Sequence, residues 1–281
     1  MSLDISTLLQ EWKFEPDKMQ VRLIPGDDGL GKLQIRLDLG VLQMELDGRP
    51  DGTRPHGEES YLDYFEAQES QDKASSTLDS EQLTDLMREG VQFYNRYMAL
   101  FVLEDYDRVA RDTARNLRLF QFVVSHVKNH GDRWAFEQYT PFVTMMHGRA
   151  LGQKALKDGS PRDALRVIDA AIEAVVDFIR AQNENLREDE EETDESDSPE
   201  LSFLRTWRTE IEQETATTSP LDLLEEQLKL AVGREDYEDA ARIRDELRKL
   251  QVPTSESAGE NRSSSRSTDP ADQLDQPGGE P

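Results

Sequence analysis

Three groups of residues have the types and spacings that chemistry uses. Gly26-Asp27-Asp28-Gly29-Leu30-Gly31-Lys32 satisfies the first seven positions of a phosphate-binding loop, in which backbone amides cradle phosphate and the lysine reaches its oxygens. Leu33 stands where that loop needs a magnesium-binding hydroxyl, Asp27 and Asp28 would face phosphate, and the next segment alternates like a strand instead of opening a helix. A glycine-rich hairpin turn is the physical reading, and a nucleotide-binding enzyme stands as a remote alternative. His126 and His130, at i and i+4, have the spacing that can put two metal ligands on one helix face. Val127, Lys128 and Asn129 lie between them, no HExxH pattern forms, and neither His56 nor His147 is an obvious third ligand, so the pair reads as solvated helix-end histidines. The acids from Glu188 to Glu192 read as a solvated charge run. The chain has no cysteine, which excludes thiolate zinc sites, iron–sulfur ligation, disulfides and cysteine nucleophiles. No Ser-His-Asp arrangement can be argued. The expectation is a non-enzymatic protein with no catalytic, cofactor or metal site.

The elements around these residues follow from periodicity. Met19 to Leu46 alternates with period two through Val21, Leu23, Leu33, Ile35 and Leu37, which predicts a β-hairpin continued by a third strand over Val41 to Leu46. Gly48, Pro50, Gly52, Pro55 and Gly57 mark a loop. Between Ser80 and Ala181 the period becomes helical: Leu83, Leu86, Phe93, Tyr94, Tyr97 and Phe101, then Leu117, Phe120, Val124 and Val127. Gly131-Asp132 opens a third helix, and Gly159-Ser160-Pro161 divides it from a fourth, with Ser160, Pro161 and Asp163 supplying capping chemistry. The fold class is mainly α with a small N-terminal β-sheet. Its predicted order is a β element and loop at 1–60, a helical domain at 61–181, an acidic disordered linker at 182–200, a short helix and connector at 201–218, a helical hairpin at 219–252 and a disordered tail at 253–281.

Small residues recur where helices would touch. Leu151, Gly152, Ala155, Ala164, Ile168 and Ala171 fall at offsets resembling a tetratricopeptide repeat, and Tyr94, Tyr97, Phe101, Ala110, Ala114 and Leu117 form a second candidate. Ala110 and Ala164 are fifty-four positions apart (164 minus 110), against about 34 for that repeat, so a helical bundle with small residues at its crossings is the plainer reading. Glu104-Asp105-Tyr106-Asp107 also echoes Glu235-Asp236-Tyr237-Glu238, which shared helix-start chemistry explains.

Composition bounds the partners. Of 281 residues 33% are charged, and the net charge of −26 would repel a phosphate backbone, so direct nucleic-acid binding is disfavoured. No segment has the roughly 20 apolar residues of a membrane span, and Met1 to Lys18 has no apolar run long enough for a signal peptide. A cytoplasmic location is expected.

The most specific signal lies near the C-terminal end. Ser219-Pro220-Leu221-Asp222 opens a helix with Leu221, Leu224, Leu228 and Ala231 at spacings of three and four, Gly233 closes it as a left-handed cap, and a second helix starts at Asp236 and stops before Pro253. The run Leu224-Glu225-Glu226-Gln227-Leu228, Ala231-Val232 and Glu235-Asp236-Tyr237-Glu238-Asp239-Ala240-Ala241-Arg242-Ile243-Arg244-Asp245-Glu246-Leu247 resembles the UVR motif, shared by the B and C subunits of the bacterial excision nuclease and by adaptors of the Clp protease system. The resemblance covers about a ninth of the chain and implies an antiparallel, coiled-coil-like hairpin for protein association. It assigns that role to Leu224, Leu228, Ala231, Tyr237, Ala241, Ile243 and Leu247, with Ala240 and Arg244 from the double alanine and the Arg-Asp pair. A repair subunit, a protease or chaperone ATPase, a second copy, or the protein's own core could take the hairpin's surface. No nuclease, helicase or zinc-ribbon signature accompanies the motif, so only the association role carries over.

Overall fold

The computed structural model describes residues 4–70, 77–184, 186, 193–217, 220–234 and 236–251. The acidic run at 187–192 and the tail at 253–281, both read from sequence as disordered, lie outside the described residues. A short helix, α1 (Ser6–Glu11), precedes an antiparallel sheet of β1 (Val21–Pro25), β2 (Gly31–Leu37) and β3 (Gly40–Glu45) in the order β1-β2-β3. Val21 pairs with Ile35, and Leu23 with Leu33, so the period-two alternation places the strands as expected. One face sends Leu33, Ile35 and Met44 into the helical core. On β2 the polar residues Lys32, Gln34 and Arg36 are buried too. The segment after α1 accounts for much of this: Arg36 donates to Trp12 O at 2.6 Å, Arg22 lies 4.1 Å over the Trp12 ring while donating to Gln34 at 2.8 Å, and Gln20 donates to Lys13 O at 2.9 Å.

The helical body comprises α2 (Tyr61–Ser70), α3 (Ser80–Val102), α4 (Tyr106–His126), α5 (His130–Glu137), α6 (Thr140–Lys157), α7 (Pro161–Glu184) and α8 (Pro199–Thr217). Asp79 and Gln82 form a reciprocal capping box at the start of α3, with Asp79 Oδ1 accepting from Gln82 N and Gln82 Oε1 accepting from Asp79 N, both at 2.9 Å. Asp105 caps α4, accepting from Arg108 N at 3.3 Å. The single helix expected after Gly131 is two, α5 and α6. Pro141 has no amide to donate and its ring would strike the carbonyl of Glu137, so α5 stops there and the chain turns at Gln138 and Tyr139. Two further expectations change. Residues 193–200 are tied down: Asn183 exchanges hydrogen bonds with Thr193 at 2.9 and 3.0 Å, and Ser198 Oγ accepts from Leu201 N at 3.2 Å. The short helix expected around Phe203 is the 19-residue α8, with Leu201, Leu204 and Ile211 buried against the body.

Small residues do mark the crossings. A Cβ on Gly148 would lie 2.6 Å from Ala171 Cβ, and one on Gly152 would lie 2.6 Å from Trp207, so α6 seats α7 on one side and α8 on another. A buried ionic cluster, not foreseen from sequence, joins the loop after β3 to α2, α3 and α4. Arg96 grips Asp112 through two bonds of 2.6 and 2.9 Å and donates to the carbonyls of Glu45 and Gly48. Glu89, fully buried, accepts from the amides of Tyr61 and Leu62 at 2.8 and 3.2 Å and pairs with Arg49 and Arg115. It serves as the N-terminal cap of α2 from another helix.

Candidate protein-interaction hairpin

Beyond α8 the chain forms α9 (Pro220–Gly233) and α10 (Tyr237–Gln251), joined by a turn too short for anything but an antiparallel pair. Asp236 starts α10: its Oδ1 accepts from Asp239 N at 3.1 Å and its carbonyl from Ala240 N at 3.0 Å. The same chemistry at Asp105-Tyr106 and Asp236-Tyr237 accounts for the sequence echo. Gly233 is the last residue of α9 itself and not a left-handed cap; the Asp236 amide reaches back to Ala231 O at 3.0 Å, a wider closure of the kind seen in helix-ending motifs. Ser219, expected as the cap of α9, lies outside the described residues.

The predicted interaction residues divide into two sets. Ala231, Ala240, Ile243 and Leu247 are buried in one cluster, with Leu224 and Leu228 packed against it. These six hold α9 to α10, the two alanines allowing a close approach. Ala241 is half-buried, Arg244 is exposed, and Tyr237, grouped with the aliphatics by the motif resemblance, is 69% exposed. Its position on the first turn of α10, beside the inter-helix turn, carries it past the end of the apolar seam. Val232 is also exposed, at 52%, on the last turn of α9.

The hairpin meets the body through residues that sequence reasoning missed. Gln227 Nε2 donates to Gly159 O at 3.0 Å and Arg234 pairs with Asp158 at 2.6 Å, both in the turn between α6 and α7. Gly159 has a φ of +72°, and a Cβ there would come within 2.6 Å of Leu230. Ser160 N donates to Ala155 O at 2.9 Å, so this glycine closes α6 and seats the hairpin at once. Its role as a helix separator was readable; its neighbour sixty-eight positions away was not.

Residues 218–252 carry the UvrB/uvrC motif, UVR. No curated protein and no solved structure matches the chain. In UvrB and UvrC this is a protein-interaction motif, and its match here spans the hairpin just described. The first set of tetratricopeptide-like offsets falls on the α6–α7 pair.

The other chemically suggestive residues are occupied structurally. Lys32 lies at the β1–β2 turn, its ammonium bonded to Asp28 at 2.5 Å and to Glu45 at 2.6 Å, and these carboxylates hold its pKa above the ordinary lysine range. The Gly26 amide donates to Leu30 O at 2.7 Å, closing a hairpin turn instead of opening toward phosphate. His126 ends α4 and His130 begins α5, so the two do not share a helix face. His126 Nδ1 lies 2.8 Å from Phe122 O, its Nε2 3.3 Å from Glu69, and its ring stacks on Phe122. His147 Nδ1 sits 2.9 Å from Thr113 Oγ1, and burial lowers its pKa. His56 stacks on Tyr64 with centroids 4.1 Å apart. Among the described residues no helix is long and apolar enough to cross a membrane.

Proposed function

We propose that this chain is a non-enzymatic adaptor or regulatory factor that binds a protein partner through its UVR hairpin. The observation that carries the reading is the coincidence of the motif match with a hairpin whose seam is filled by its own six apolar residues while Tyr237 and Val232 stay exposed at its turn. A partner takes that exposed end and the adjoining outer faces, Arg244 included, and the body presents the hairpin from the α6–α7 turn. Buried aromatic anchors dominate such interfaces, which assigns Tyr237 the leading role. Charge supports protein over nucleic acid as the partner, because a net −26 repels phosphate.

A second reading, accessory service to nucleotide-excision repair, is favoured by the identity of the motif: it is named for two repair subunits. The same experiment separates the two. Affinity purification with mass spectrometry compares wild type with a Val232→Glu/Tyr237→Ser double variant of unchanged helix content. Selective loss of a repair subunit supports the repair role, and loss of a protease or chaperone ATPase supports the adaptor role. An identical set of partners from both proteins removes the hairpin's turn as the docking element.

A further inference from the structure

A cavity of about 460 Å³ opens between α3, α4, α5 and α6, on the body and apart from the hairpin. Six aromatic rings wall it: Tyr94, Tyr97, Phe120, Phe136, Tyr139 and Phe142. No charged side chain is among its lining residues. Tyr94 and Tyr139 are about half exposed and stand with Val91 at its mouth, whereas Tyr97 is only 1% exposed at its inner wall. The polar groups inside are few. The Asn116 amide is committed, its Nδ2 donating to Gly90 O at 3.0 Å and its Oδ1 accepting from Arg115 at 3.2 Å. The Tyr97 hydroxyl makes no hydrogen bond to any described residue, and burial raises its pKa, so it stays a neutral donor. Tyr97 lines the cavity, and a hydroxyl there with no partner among the described residues can set the orientation of a ligand.

We infer that this cavity binds an uncharged, planar, largely apolar small molecule whose single hydrogen-bond acceptor, such as a ketone or ether oxygen, meets the Tyr97 hydroxyl. The volume lies within the range of small-molecule sites, roughly 300 to 1,000 Å³. Aromatic walls favour a flat ligand through stacked and edge contacts. With no cation on the lining, a carboxylate or phosphate would lose its hydration without compensation, which excludes anionic ligands.

The test uses the full chain and prodan, a fluorescent naphthyl ketone without charge, with naphthalene as the probe lacking an acceptor and anilinonaphthalene sulfonate as the anionic one. Wild type is expected to bind prodan saturably at one site with a blue-shifted emission. Tyr97→Phe keeps the ring and loses a hydroxyl that no described residue uses, so it should fold normally, bind prodan several-fold to about tenfold more weakly, and bind naphthalene as wild type does. Val91→Trp, at the exposed mouth, should block both probes with the circular dichroism spectrum unchanged. Absence of saturable prodan binding, prodan affinity unaltered in both variants, or a sulfonate bound as tightly as the ketone would each overturn the assignment.

Discussion

Single side chains decide more here than their exposure suggests. Glu89 satisfies two backbone amides of α2 and faces two guanidiniums with no access to water. Removing one partner from such a cluster strands buried charge, so Glu89→Ala should lower stability by about 3–5 kcal/mol in urea denaturation, whereas breaking the exposed Arg242–Asp239 pair should be undetectable. Gly159 is constrained twice, by its left-handed backbone and by Leu230. Gly159→Ala should cost at least about 1–2 kcal/mol from the backbone alone, read by the same measurement. His147 imposes a pH dependence of definite sign. Its folded pKa lies below the ordinary 6.5, so the unfolded chain takes up the proton first as pH falls. Stability should therefore decline between about pH 7 and pH 5.5, and a His147→Asn variant should show a flatter profile over that interval.

Among the elements, the body is organised by how closely its helices can approach. Gly148 shows which of two opposed effects wins. Replacing a mid-helix glycine by alanine gains about 1 kcal/mol of helix propensity. The new methyl would sit 2.6 Å from Ala171 Cβ, an atom that cannot swing aside, so α6 and α7 must separate. Overpacking of this kind costs about 1–3 kcal/mol, and Gly148→Ala should be destabilising overall by calorimetry. At α8 a cation adds to the close approach at Gly152: the Arg149 guanidinium lies 4.5 Å from both the Phe101 and Phe203 rings, linking α3, α6 and α8. The UVR pair depends on Ala231 and Ala240 in the same way that α6 depends on its glycines.

In the molecule as a whole, the apolar residues of the hairpin form their own cluster, separate from the three that build the body. The two parts meet at the turn between α6 and α7 through Gln227, Leu230 and Arg234. A chain ending after Thr217 should therefore unfold cooperatively, with a midpoint within about 5 °C of the full protein. A much larger fall would mean that the hairpin stabilises the body. The arrangement suits a module displayed from a scaffold, with the aromatic cavity on the scaffold and the exposed Tyr237 and Val232 on the module.

Elements whose signals are local were legible from the residues alone. Period-two alternation on either side of Gly26 to Gly31 specified the hairpin, because a strand's face is fixed by its own residue period. Asp236, with Asp239 three residues on, announced a helix start because capping is settled within four residues. The UVR hairpin was legible for the same reason: its seam is a short-range pattern within thirty-odd residues. Tertiary structure alone decided what depends on distant partners. That Tyr237 lies outside the seam and not within it, that Gly159 seats Leu230, that Glu89 caps a helix twenty-eight residues away and that six rings from four helices and their links enclose a cavity are results of packing. A side chain's period gives its face on an element; only the meeting of elements determines what that face touches.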